Sequence, residues 1–391
     1  MSEHLRDTNL ARALRLLHRA GGSATRAELA RELAVTRATA AALADELVRL
    51  GYVTEGPAPR SGRRGRPTTE LRPAPRGPVA LAVELAAELI VVAEVGLGGR
   101  VLDEESSHLG DTGSAAVMAQ VRRLVTPRVE RLGSRCLGLG VAVHGLVGGA
   151  DRRVLLAPNL GWRDVPLGRL LRDEWAVPVL VDNDSALAAL AETRGSAEPD
   201  AETLLFVHSA VGIGGALVVD GRLQRGRAGL AGEYGHLPFG RAGLECRCGA
   251  RGCWETEVDQ RALARAAGRH ATQTSAREHA QAVFAAAEGG DSPARRAIGS
   301  TAGILGHGLG ALVNAFDPHR VVVSGHAADL HRHAPDAVEG AMRAGAMSVY
   351  RDGLPPVERT QVRRGALLGA AEGIFGGAFS RPRAGSPRPI P

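Results

Sequence analysis

Gly229-Leu-Ala-Gly-Glu-Tyr-Gly-His236, continued by Cys246-Arg-Cys248-Gly-Ala-Arg-Gly-Cys253-Trp-Glu255, is the stretch from which the rest of the chain can be placed. Three of the four cysteines fall within eight residues, and a histidine stands ten residues upstream. The order His-x9-Cys-x-Cys-x4-Cys supplies four soft or borderline donors, which is the set a closed tetrahedral zinc site needs. Gly249 and Gly252 let the short loop fold back, so that Cys253 can reach a metal shared with Cys246 and Cys248. A disulfide between Cys246 and Cys248 would close too tight a ring, and nothing marks the chain as secreted. Three buried free thiols are the other alternative. A catalytic zinc keeps an open position, whereas four ligands are already at hand. The expectation is a structural Zn2+ on His236, Cys246, Cys248 and Cys253.

Gly-Glu-Tyr-Gly-His followed by Cys-x-Cys-Gly-x-x-Gly-Cys-x-Glu resembles the ROK family, which groups sugar-responsive repressors with sugar kinases. The resemblance extends over most of residues 79–391, and the N-terminal region fits the repressor branch. It implies that His236 both ligates zinc and contacts a sugar hydroxyl. It also implies that Glu233 and Glu255 are sugar-binding carboxylates. The metal would then act as a rivet in a sugar-binding loop.

Composition narrows the function further. The 391 residues allow two or three domains. No apolar run reaches the ~18–20 residues that span a bilayer. The polar start Met-Ser-Glu-His-Leu-Arg-Asp lacks the apolar core of a signal peptide, so a cytoplasmic location without membrane contact is expected. Every basic side chain is arginine, which excludes a P-loop lysine and a lysine Schiff base. Aromatics are only 3%, too few for base-stacking platforms. Residues 1–78 carry 14 arginines against 8 acidic residues, an excess equal to the whole chain's +6. The remainder is neutral, which suggests a nucleic-acid-binding module joined to a neutral domain.

The N-terminal pattern agrees with such a module. Leu10, Leu14 and Leu17 recur at helical spacing, and Gly21-Gly22 ends that helix. Thr25-x-x-Glu28 is a capping box that opens a second helix with Leu29 and Leu33 inward. Thr36 caps a third helix from Arg37 to about Leu50, with Leu43, Leu47 and Leu50 toward the core. This is a helix-turn-helix whose second helix enters the major groove N-terminus first. Arg37 and Thr39 would meet bases or phosphates, and Thr36 would serve as cap and phosphate contact. A hairpin begins at Gly51-Tyr-Val53, and its wing carries Arg60, Arg63, Arg64 and Arg66. These arginines suit a minor groove, and a flexible charged linker is the alternative reading. The Arg-Gly-Arg-Pro core resembles an AT-hook, and ROK repressors typically carry a Gly-Arg-Pro stretch here. The winged helix-turn-helix is assigned to 1–70, and the proline-rich 71–78 to a linker.

Residues 79–95 read as a hairpin of buried strands. A third strand follows from Val101, then a helix near Ala115–Leu132 and the strand Gly138–Val143. The β-β-β-α-β order resembles the two-lobed, actin-like ATPase fold of ROK proteins and hexokinases, an α/β architecture. The first lobe is placed at 79–200, completed by a C-terminal helix at about 365–380. The second lobe, with its zinc loop at 236–253, is placed at 201–364, and the tail 381–391 is expected to be disordered. ROK kinases carry Asp-x-Gly-Gly-Thr-Lys at the first turn, where this chain reads Glu84-Leu-Ala86-Ala87-Glu88-Leu. Alanines block close backbone approach to phosphate, and Glu88 puts negative charge where phosphate would lie. Val211 stands where the second phosphate loop of the kinases has threonine, and His326 follows Ser324-Gly325 where a second glycine is usual.

The sugar side matches the family. Asn183 and Asp184 end a strand and open a helix, at the pair that binds sugar hydroxyls in ROK proteins. Asp184 is the kinase-base equivalent, and a helix cap is its plainer reading. Ala186 replaces a common asparagine. The long helix Pro293–Phe316 carries Gly303, Gly306 and Gly310, a small face for close helix packing within the lobe or across a dimer. Together these features point to a sugar-responsive regulator, a repressor by resemblance, which binds a pseudo-palindromic double-stranded operator as a homodimer or homotetramer. The alternative is an active ATP-dependent sugar kinase with a regulatory DNA-binding N-terminus.

Overall fold

Leucines at helical spacing build the N-terminal bundle where their positions dictate. Helices Glu3–Arg19, Arg26–Glu32 and Arg37–Arg49 bury Leu10, Leu14, Leu17, Leu29, Leu43 and Leu47. Each such leucine contributes about 1.5–3 kcal/mol. The computed structural model describes residues 3–57, 69–86, 88–195, 202–240, 242–272, 275–350, 353–380 and 382. These divide into two units, one from Met1–Gly195 with Arg364–Pro391 and one from Ser196–Arg363.

In the first unit, Val53–Pro57 pairs antiparallel with Thr69–Pro73, and Ala24–Thr25 adds a third strand. This sheet against three helices is a winged helix. Residues 71–73, expected to begin the linker, are instead the wing's return strand. Leu71 is fully buried there, which overrides the prolines around it. The expected wing arginines Arg60, Arg63, Arg64 and Arg66 lie outside the described residues. Of the tail 381–391 only Pro382 is described, and its carbonyl accepts a hydrogen bond from the Tyr52 hydroxyl at 3.3 Å.

The rest of this unit is a five-stranded sheet in the order 179–183, 136–143, 79–85, 89–96, 100–108. The first three strands are parallel. Alternation along Val79–Leu85 sorts its side chains by size. Val79, Leu81, Val83 and Leu85 pack with the helix Ser114–Leu132. Ala80 and Ala82 face the helix Gly365–Phe379. Small residues are required on that side, because a Cβ at Gly140 would collide with the Ala370 carbonyl. The head leucines belong to the same buried cluster as Leu367, Ala370, Ile374 and Phe375, so head and sheet share one core.

The second unit holds another five-stranded sheet, ordered 222–223, 213–219, 203–209, 320–325, 357–359. The helices Ser292–Phe316 and Pro335–Gly345 pack together at Gly306 and Gly310. A Cβ at Gly306 would strike the Val338 carbonyl, and one at Gly310 the Met342 carbonyl. These two positions therefore serve packing within the unit.

Candidate functional site

The head presents the start of its third helix. Thr36 is the N-cap, and its hydroxyl accepts from Thr39 N at 3.2 Å. The capping box of the preceding helix is complete, with Glu28 N donating to Thr25 Oγ1 and Thr25 N to Glu28 Oε2. Ala34 takes a left-handed φ of 52° in the turn between the two helices. Thr36 and Arg37 are exposed, and Thr39 is half-buried by its bond to the cap. Arg26 braces the arrangement, reaching Asp45 on the third helix and Glu55 on the wing, each at 2.6 Å.

In the second unit, Tyr234–His236 forms a single tight turn and Cys246–Cys253 a small knuckle. Cys246 N donates to Ala250 O, and Gly249 N to Cys246 O, so the knuckle closes on itself. Gly249 at φ 92° and Gly252 at φ 73° supply left-handed turns that other residues rarely adopt. The result brings one ligand atom each from His236, Cys246, Cys248 and Cys253 within 4.8 Å of one another. Two sulfurs bound tetrahedrally at ~2.3 Å would stand about 3.8 Å apart. Cys248 Sγ and Cys253 Sγ are 3.6 Å apart, as are His236 Nδ1 and Cys246 Sγ. Burial pushes the Cys246 thiol up to about 12, with Glu255 adding to the effect, while the Ala250 backbone lowers that of Cys248. A cation among the four would stabilise all three thiolates. Donor type, number and spacing thus fit zinc.

Glu255 follows the knuckle directly and opens the helix Glu255–Val258. It is 6% exposed and accepts hydrogen bonds from Ile213 N at 3.4 Å and from the Cys246 thiol at 3.2 Å. Its Oε1 lies 4.0 Å from His236 Nδ1. On the other side of the ring, His236 Nε2 is 3.8 Å from Glu233 Oε2. The predicted residues Glu233, His236 and Glu255 therefore stand together, with the histidine between the two carboxylates.

In the first unit, Asn183 and Asp184 sit at the carboxyl end of the strand Val179–Asn183. The N-cap is Asn183, one residue earlier than the cap considered for Asp184. Its Oδ1 accepts from Ser185 N and Ala186 N, and its Nδ2 donates to Gly145 O and to Asp184 Oδ1. Asp184 is thereby freed from capping and held by its neighbour.

A histidine that the sequence reading passed over stands next to it. His144 follows the strand Cys136–Val143, which lies between those carrying Glu84 and Asn183. Its Nε2 is 3.1 Å from Glu84 Oε1 and 3.8 Å from Asp184 Oδ2. Burial alone would lower its pKa. The Asp184 charge, with the hydrogen bond and charge of Glu84, outweighs burial and raises it to about 9. The signal was legible, since a polar residue just past a buried parallel strand lies where α/β sheets bind ligands. Across the first turn Ala86 N donates to Leu89 O at 3.0 Å.

Comparison with known proteins places this architecture. The ROK family model matches residues 80–372. The chain belongs to the ROK family. A MarR family model matches residues 10–64, the winged-helix head of this ROK protein. The chain is 28% identical to a glucokinase of Halalkalibacterium halodurans, over 76% of this chain and 93% of the relative. It is 27% identical to a xylose repressor of Caldicellulosiruptor bescii, over 78% of this chain and 79% of the relative. A crystal structure of a ROK family transcriptional regulator, a homolog of the E. coli MLC protein, shares the fold with a TM-score of 0.75. It has 24% identity and covers 97% of this chain and 98% of its own. Among the described residues no helix is long and apolar enough to cross a membrane.

Proposed function

We propose that this ROK protein is a sugar-responsive, DNA-binding transcriptional repressor. The observation that carries the reading is the union, in one chain, of two parts. One is a winged helix-turn-helix with Thr36 and Arg37 exposed on its leading turn. The other is a ROK domain that carries Glu233, Glu255 and Asp184. Likeness to the xylose repressor over most of the chain supports it. The third helix enters the major groove, where Arg37 and Thr39 read base edges and Thr36 meets a phosphate. Arg60, Arg63, Arg64 and Arg66 follow the minor groove. A homodimer or homotetramer matches a pseudo-palindromic operator, and work on DNA puts the protein in the cytoplasm. Asn183, Asp184, Glu233, His236 and Glu255 bind sugar hydroxyls. Zn2+ on His236, Cys246, Cys248 and Cys253 is structural and fixes the loop that carries Glu233 and Glu255.

The likeness to glucokinase favours a second reading, an ATP-dependent sugar kinase. Ala86, Glu88 and Val211 argue against it, because they remove the groups and the backbone space that phosphates need. Selection of genomic fragments by the purified protein, repeated across a monosaccharide panel, tests the first reading. Capture of a few palindromic sites, changed by one sugar, is expected. Absence of specific capture, together with sugar-dependent ATP consumption, would replace the repressor with the kinase.

A further inference from the structure

Three neighbouring strand ends converge on one histidine. Glu84 lies near the end of the strand Val79–Leu85, His144 just after Cys136–Val143, and Asp184 just after Val179–Asn183. The ring is one-third exposed, and the two carboxylates about one-fifth, so all three can be reached from solvent. Nε2 is committed to Glu84 at 3.1 Å and faces Asp184 at 3.8 Å. Asp184 is held from its other side by Asn183 Nδ2 at 2.9 Å. Glu84 and Asp184 are the charged groups that face the ring among the described residues.

We propose that His144 is a positioning residue of the sugar site, which fixes Asp184 as a hydroxyl acceptor and makes the site select unphosphorylated sugars over their phosphate esters. This deepens the sugar-binding reading above and rests on it. Two carboxylates and one imidazolium leave a net negative charge at the strand ends. A phosphate dianion placed there would be repelled, whereas a neutral polyol gains fixed acceptors and the Nδ1–H of the ring. Asp184 then stays in position to accept a hydrogen bond from a sugar hydroxyl.

Two measurements test the proposal on the full chain. The first is calorimetric titration of D-glucose, D-xylose and N-acetyl-D-glucosamine, and of the 6-phosphates of the two hexoses, into wild type and His144→Gln between pH 7 and 9.5. Expected is a free sugar bound at least ~10-fold more tightly than its phosphate, and a loss of about 10-fold or more in His144→Gln. Wild-type affinity falls as pH rises through about 9, and the variant stays flat. A phosphate ester bound as tightly as the free sugar, or equal affinity in the variant, would overturn the proposal. The second is NMR titration of the His144 imidazole in the ligand-free protein, assigned by the same variant. Expected is a ring protonated until about pH 9, moved toward the ordinary histidine range by Asp184→Asn or Glu84→Gln. A ring that loses its proton below pH 7 overturns the triad whatever the sugars do. If no sugar binds wild type, the sugar-binding reading fails, and the positioning role fails with it. The NMR result then separates a real triad from a mistaken one.

Discussion

Two histidines in this molecule sit among acidic groups and differ in how their neighbours complement them. His18, on the first helix, is 3% exposed. Gly98 N donates to its Nδ1 at 3.0 Å, so Nε2 carries the proton and donates to Glu372 at 2.9 Å. Phe375 and Phe379 pack on the ring, with centroids 4.4 and 5.4 Å away. Arg194 stands 3.6 Å from the other oxygen of Glu372. Donor meets acceptor throughout, and the protein alone completes the site. At His236 the pattern is reversed. His236 and the three cysteines each offer one ligand atom, and these lie within 4.8 Å of one another. Such a set could hold a metal cation. The lesson is that His18 finds its donor and acceptor partners within the protein, whereas His236 stands among candidate ligands that could share a metal ion.

The largest effect that could break this comparison is metal removal. Structural zinc in small domains is worth about 10–16 kcal/mol. Chelation, or Cys248→Ser, is expected to strip the metal, lower the melting temperature and expose thiols to a thiol reagent. Unchanged metal content by mass spectrometry would mean that the four ligands do not act as a set. Next comes His18→Ala, expected to destabilise by about 2–3 kcal/mol through lost packing and a lost hydrogen bond to a charged group. A urea midpoint equal to wild type would contradict a structural role for His18. Glu372→Gln keeps an acceptor for Nε2 and is expected to cost only about 1 kcal/mol, and a larger loss would show that charge matters there. Smallest in stability is Glu233→Ala, within about 0.5 kcal/mol and with metal retained, while the change in operator binding on adding sugar is lost. Metal loss in that variant would move Glu233 from the ligand side of His236 to the zinc side.

Much of the site was legible because its logic is local. The spacing from His236 to Cys253 sets the loop length, and two glycines there take the left-handed turns the knuckle requires. The capping box at Thr25 and Glu28 closes over three residues. Local ambiguity shows at Asn183 and Asp184, where either residue can cap a helix. The strand decided between them by running to Asn183, which placed its side chain over the first turn. The wing's return strand was hidden for a similar reason. The prolines at 73, 75 and 78 suggest a linker, but Leu71 is drawn into the head's core.

By itself the sequence determined the class of the protein and its local chemistry. Periodicity, caps and spacing, which act over a few residues, set a basic helical head, a mixed α/β body and a loop with four candidate metal ligands, while the two-lobed fold came from the resemblance to the ROK family. Only the tertiary structure decided which distant groups meet. His18 and Glu372 lie 354 residues apart and touch because the C-terminal helix and the first helix share one core. Glu84, His144 and Asp184 meet because parallel strands end at one edge of a sheet. The physical reason is common to both cases. Strand order and helix docking are set by burial of apolar area summed over whole elements, and no short window of sequence contains that sum.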